Sequence, residues 1–263
     1  MGQDRKIDRR SRRRIIAALL GAAAGVPSVA LAQAAGQEER EALAAEVLEK
    51  ADKIRFPSES FEVEVAVTSF SDGKQTDSRL YKVLSRGNDN TIVQVLEPAS
   101  DRGQAMLMRG RDLWIFLPTV SQPVRLSLSQ RLTGQVANGD IARANFSGDY
   151  TPKVLRTEPI DGNEHYVLEL TAVERSVTYS RVLYWVRKSN FHPQKAEFFS
   201  VSGRLLKTAR YEEFKTLGGR VRPTRLVLRD ALREGEESVM LYSALKLRDL
   251  PARMFSKDYL QRL

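Results

Sequence analysis

The chain predicts a mainly β protein, built on one antiparallel sheet of about a dozen strands with few helices. Three observations carry this. Apolar and polar residues alternate with period two from Phe61 to Leu247, broken at even intervals by turns rich in Gly, Asn and Asp. No strand–helix–strand pattern interrupts the alternation, so neighbouring strands run antiparallel. No linker composition follows residue 56, so one domain holds the sheet, and a sheet that wide must curl, split or close.

Residues 1–32 read as an export signal to be cleaved, and 33–263 as the single domain. Arg5, Lys6, Arg9, Arg10, Arg12, Arg13 and Arg14 precede the apolar run Ile15–Val26, and Ala30-Leu31-Ala32 completes a small-residue cleavage pattern. The run is short for a bilayer span. Cleavage is expected after Ala32, with Ala35 as the second choice. Paired arginines before the run suit twin-arginine export as well as general secretion. Formal net charge is +9, and removing residues 1–32 takes away seven basic and two acidic residues, leaving +4 on 231. That balance gives no basic patch for nucleic acid.

Residues 33–40 form a polar leader. Ala44, Val47, Leu48, Ala51 and Ile54 then repeat at helical spacing, with Leu43 at the edge of the stripe and Glu46, Glu49, Lys50, Asp52 and Lys53 assigned to the polar face. This predicts a helix over 38–54, stopped before Pro57. Phe61, Val63, Val65 and Val67 open the first strand, and Asp72-Gly73 turns it back into Arg79–Arg86. Thr91–Glu97 follows. Gly103–Ser129 reads as three short strands, with Met106 and Met108 on one side of the first. Leu113–Leu117 is apolar on both faces and needs cover on both. Residues 130–149 lack alternation, and a loop that long inside a compact domain is expected to be functional or disordered. Within it, a short helix over 140–145 with Asp140 as N-cap is predicted. Strands resume at 153–158, 165–172, 178–188, 194–201, 205–214, 221–230 and 238–247. Met254, Phe255, Tyr259 and Leu260 predict a terminal helical turn packed on the sheet.

Chemistry is poorly represented. There are no cysteines, which excludes thiol catalysis, thiolate metal sites and a lipid-modified N-terminal Cys. His165 and His192 are the only imidazoles and sit at strand entries. No nucleophile elbow, phosphate loop or metal-binding motif is present. Hence no catalytic residue, no metal and no cofactor is expected, and the chain reads as a non-enzyme. The stronger signal is an aromatic and methionine set spread over many strands, including Phe61, Met106, Met108, Trp114, Phe116, Tyr184 and Phe198. This is either ordinary core or the wall of an apolar cavity in a curled sheet with little to fill it. Such cavities take apolar ligands, and methionine repacks around varied chains.

In layout and local wording the chain resembles the LolA-like family of outer-membrane lipoprotein-sorting carriers. The likeness spans roughly 40–263 and is strongest in GQAMLMRGRDLWIFLPTVSQPVRLSLSQR, in the insertion GDIARANFSGDY, and in the closing Met254–Leu260. The resemblance implies a strongly curved antiparallel sheet forming an unclosed half-barrel, with an N-terminal helix and a short helical lid. It implies an apolar cavity with Trp114 and Phe116 in its wall and the 131–149 loop as its lid, carrying Asp140, Ile141 and Phe146; Phe61, Met106, Met108, Tyr184 and Phe198 from the aromatic and methionine set complete the expected lining. Arg109, Arg125 and Arg181 are alternatives for a lid-latching arginine. The implied function is a monomeric periplasmic carrier of lipoprotein acyl chains or free lipid, served by an inner-membrane exporter and an outer-membrane acceptor. A sensing or exporter-associated domain of the same fold, without transport, is the alternative.

Overall fold

The computed structural model describes residues 27–143 and 145–260. Two compact units divide at residue 38: Met1–Glu38, and Glu39–Leu263 with the sheet. The expected signal therefore lies almost wholly outside the described residues. The expected cleavage positions Ala32 and Ala35 fall within helix α1, Pro27–Arg55, which starts well before the predicted 38. Its C-terminal end is as expected, two residues before Pro57. The stripe Ala44, Val47, Leu48 and Ala51 is fully buried, and Leu43 stays exposed at its edge.

Thirteen strands form one sheet. In chain order they are β1 Phe61–Ser71, β2 Lys74–Arg86, β3 Asn90–Glu97, β4 Ala105–Arg109, β5 Asp112–Phe116 and β6 Val124–Leu126; a separate two-stranded hairpin of β7 Arg131–Thr133 and β8 Val136–Ala137 follows. Helix α2, Asn138–Ala142, leads to β9 Tyr150–Ile160, β10 Asn163–Ala172, β11 Arg181–Arg187, β12 Pro193–Phe199, β13 Leu205–Leu217, β14 Arg220–Asp230 and β15 Glu237–Leu247. Every pairing within the sheet is antiparallel, and the first and last strands pair: Val65 faces Tyr242 and Val67 faces Met240. The sheet is thus two meanders, β6 to β1 and β15 to β9, joined at β1–β15, with β6 and β9 left as unpaired edges. It is a large antiparallel sheet not closed into a barrel.

This topology fixes what residues 127–149 do. They leave β6 at one edge and must reach β9 at the other, so they cross the face that the sheet encloses. Two of the crossing segment's backbone bonds are internal, from Asn138 N to Gln130 O (2.9 Å) and from Gly139 N to Leu128 O (2.8 Å). Gly139 has no room for a side chain: a Cβ there meets Thr178 Oγ1 at 2.0 Å.

The main core lies on the enclosed face. Cross-strand partners share a face, so Val63, Val83, Val93, Met106 and Ile115 form one row from β1 to β5. The row continues the same face as Met240, Leu226 and Tyr211 across β15, β14 and β13. Helix α1 packs its stripe into this core. The opposite face carries a second, smaller cluster: Leu84, Ile92, Ala105 and Leu107 are covered by Leu250, Phe255 and Leu260. Those last residues belong to the terminal segment, where α3, Lys257–Leu260, forms the expected helical turn.

The two histidines are structural. His165 is fully buried with Nδ1 on the Asn163 carbonyl (2.8 Å), and His192 stacks on Phe214 at 4.2 Å between centroids. Burial lowers both below the ordinary imidazole value of 6.5. The unfolded chain takes up protons near 6.5 while the native state resists them, so stability falls as pH drops through 6.5 toward the depressed native values. Denaturation midpoints at pH 7.5 and pH 5 measure this, and a His165→Gln variant is expected to show a shallower loss on acidification than wild type.

Candidate functional site

The site is the enclosed face of the sheet and the segment that crosses it. That segment is held by charged side chains at three points. The first is Asp52, on α1, only 2% exposed. Its carboxylate accepts from Phe146 N (3.0 Å), Ser147 N (2.8 Å) and Ser147 Oγ (2.7 Å). Burial pushes this carboxyl up, against the opposing pull of Arg55 and the loop donors. Asp52 follows Leu48 by four positions and Arg55 follows Ala51 by four, so both fall on the apolar stripe. Asp52 is therefore not on the polar face to which its charge assigned it. A charge at a stripe position was the available signal.

The second point is Asp140, on α2. It is the third helical residue rather than the N-cap, and accepts from Ala137 N (2.8 Å), where Ala137 is the cap. Tyr179 Oη donates to it at 2.8 Å and Lys207 Nζ at 2.6 Å. Burial, then the Asp140 charge, push the Tyr179 hydroxyl well above the usual phenol range. Lys207 lies on β13, so this pair ties the crossing segment to the floor of the sheet.

The third point is Asp149, 2% exposed. Arg143 grips it through Nε and Nη2 (2.8 Å), and Arg111 reaches it through Nε (2.9 Å). Arg143 also donates to Gly110 O (3.0 Å), and Arg111 to Gly148 O (2.8 Å) and Glu174 (3.1 Å). Gly110 and Arg111 form the β4–β5 turn, and Glu174 follows β10, so these pairs span the two meanders beside the gap between the sheet edges.

The three arginines proposed as latches do not do this. Arg125 pairs with Asp112, Arg181 pairs with Glu169 and covers Phe199, and Arg109 is exposed at the end of β4. Arg111 and Arg143 take their place.

The predicted cavity residues divide between faces. Phe61, Met106, Met108, Tyr184 and Phe198 lie on the enclosed face, as do Ile141 and Phe146 of the crossing segment. Phe146 meets Tyr184 and Tyr150 edge-on, at 5.2 and 5.5 Å. Trp114 and Phe116 lie on the other face, as a correction to the expected wall. Their cross-strand partners are Leu107 and Ala105, and they pack with the terminal segment, Lys257 Nζ sitting 4.4 Å from the Trp114 ring. The side chains of β5 alternate, so Ile115, not its aromatic neighbours, faces inward beside Met106.

Beneath the crossing segment the interior is nearly full, with small voids of about 30 Å³ beside Arg55 and Phe198 and about 10 Å³ beside Phe61 and Ile141. Beyond it, an open groove of about 540 Å³ remains on the same face. Tyr81, Val93, Val95, Met106, Ile115 and Leu126 give it an apolar floor, and Arg79 and Arg131 stand among its polar lining. Among the described residues no cluster of three metal-ligating side chains occurs, and no helix is long and apolar enough to cross a membrane.

A family model described as that of an uncharacterized protein matches residues 87–262. No curated protein matches the chain. Among solved structures, a LolA superfamily protein from Nitrosomonas europaea is 63% identical, with a TM-score of 0.79, covering 82% of this chain and 98% of its own. A DUF1329 family protein from Desulfovibrio piger (24% identity, TM-score 0.72, 84% and 99% covered) has the same fold. So has an outer-membrane lipoprotein-sorting protein domain from Vibrio parahaemolyticus (21%, 0.71, 84% and 100%). The half-open sheet, the helix packed within it and the 63% identity over nearly the whole of that relative lead to one conclusion: the chain belongs to the LolA superfamily.

Proposed function

We propose that the protein is a periplasmic carrier that shelters the acyl chains of a lipoprotein or a lipid against the enclosed face of its sheet and moves them toward the outer membrane. Residues 1–32 are its cleaved export signal and 33–263 its carrier domain. The observation that carries this reading is an apolar face covered by a segment held there by side-chain pairs rather than by strand pairing. The groove of about 540 Å³ is the resting part of the site, and the crossing segment, with Asp140, Ile141 and Phe146, is the lid. Voids of about 30 and 10 Å³ hold no acyl chain, so a chain that reaches beyond the groove requires the lid to lift. Each methylene buried contributes about 0.8 kcal/mol, which offsets the lost lid contacts over a chain of ordinary length. No bond is made or broken in this reading, and release depends on a partner or on lid opening.

Native mass spectrometry with solvent extraction, on protein purified from a periplasm, tests it. A co-purifying acyl species is the expected result. A bare protein mass together with no binding of a fluorescent fatty acid overturns the proposal. Ile115, half-buried and lining the groove, supplies a site-directed test. Ile115→Glu puts a carboxylate where the open groove hydrates it, so the fold is retained while probe affinity falls at least about tenfold, the equivalent of 1.4 kcal/mol. Met108, fully buried on the neighbouring strand, has no such access to water, and Met108→Glu is expected to unfold the domain.

A further inference from the structure

Arg55 ends α1 in the interior beneath the crossing segment, with its side chain 9% exposed. Its counter-charge is incomplete. Asp52 Oδ1 lies 3.5 Å away, beyond good hydrogen-bond geometry, and Asp52 Oδ2 is engaged by Phe146 N, Ser147 N and Ser147 Oγ. Nη1 of Arg55 has no hydrogen-bond acceptor. Ring faces lie close, Phe146 at 4.5 Å and Tyr211 at 5.6 Å from the guanidinium carbon, and Tyr184, Tyr211 and Tyr242 are near enough to act on its charge. The small void of about 30 Å³ opens beside it, bounded also by Asp140, Arg143, Phe146 and Tyr211. Asp140 does not compensate Arg55, because Lys207 neutralises it. A buried guanidinium offers five donors and no acceptor, and each donor left without a partner is costly. Such an arrangement is more readily understood as a site waiting for oxygen than as packing.

We propose that Arg55 is the polar anchor of the ligand site, taking the acceptor oxygens at the head of an acyl ligand, a carboxylate or an ester carbonyl, once the lid carries Phe146 away. The inference rests on the acyl-carrier reading and adds to it the polarity and orientation of the cargo. The head meets Arg55 at the end of α1, and the tail extends over the apolar floor toward Val65 and Met106. A cationic head of the same chain length is rejected, since it would bring like charge to a buried guanidinium.

Displacement of a fluorescent fatty-acid probe by palmitate, methyl palmitate and hexadecylamine tests this on the mature protein. Palmitate is expected to displace the probe at a concentration about tenfold or more below that of hexadecylamine. If methyl palmitate matches palmitate, the acceptor is the carbonyl of an acyl ester; if it lags, the acceptor is a free carboxylate. Arg55→Gln is expected to erase the preference over the amine while keeping probe binding, and Arg55→Lys to keep part of it. Equal displacement by all three in wild type, or an undiminished preference in folded Arg55→Gln, overturns the assignment and leaves the carrier reading standing. Absence of any probe binding overturns the carrier reading itself. If Arg55→Gln fails to fold, Arg55→Lys carries the test: a preference over the amine as large as that of wild type in this variant overturns the assignment.

Discussion

Asp52→Ala is expected to release the 146–149 end of the lid and to cost the domain about 3–5 kcal/mol, the range found when one partner of a buried charge pair is removed. Two losses combine. Phe146 N, Ser147 N and Ser147 Oγ lose their acceptor, and Arg55 loses the carboxylate ion-paired with it. Domains of this kind have total stabilities of roughly 5–15 kcal/mol, so a clear fall in the denaturation midpoint is expected. Asp52→Asn keeps an acceptor oxygen for the loop and is expected to lose less. Amide hydrogen exchange at 146–149 separates the local from the global effect. In Asp52→Ala these amides exchange much faster, while those of β11 and β13 change only by the overall drop in stability. Uniform acceleration everywhere would mean that Asp52 serves the core rather than the lid.

The placement of Asp52 also shows where sequence reasoning reached its limit. The strands were legible because a half-buried strand alternates with period two, and the thirteen strands of the large sheet lie broadly where that alternation put them. The stripe of α1 was legible for the same kind of reason. Asp52 and Arg55 were not, because charged residues were assigned outward by type rather than by angle, although their positions four after Leu48 and Ala51 put them inward. Trp114 and Phe116 show a second limit. A strand apolar on both faces announces two covers, but the strand does not say which face the curled sheet encloses. That follows from long-range pairing of β1 with β15, between residues such as Val65 and Tyr242, which no local pattern encodes. The β7–β8 hairpin escaped for a third reason: strands of three and two residues are too short to alternate visibly. The lid's position was legible only as an interruption. Its path across the sheet follows from β6 and β9 being opposite edges.

Lys207→Met is expected to be as damaging as loss of Asp52, and its rescue is the more informative measurement. Lys207 and Asp140 are only 7% and 10% exposed along their side chains. Removing the ammonium leaves Asp140 buried as an anion with two donors, Ala137 N and Tyr179 Oη, at a cost of about 3–5 kcal/mol. Adding Asp140→Asn removes that stranded charge while keeping an oxygen for the same two donors. The double variant is therefore expected to recover most of the loss, since replacing both members of a buried pair is close to neutral where replacing one is not. Because Lys207 lies on β13 and Asp140 on the lid, the same cycle reads function. In the carrier reading the pair holds the segment closed, and a ligand that needs it open binds with its intrinsic affinity reduced by the open fraction. If the carrier reading is right, the double variant, stable but without the ionic tie, binds a fluorescent fatty acid more tightly than wild type. If its affinity is unchanged while the stability cycle behaves as expected, then the Asp140 end of the segment does not move on loading, and the opening lies at the Asp149 end, where Arg111 and Arg143 meet.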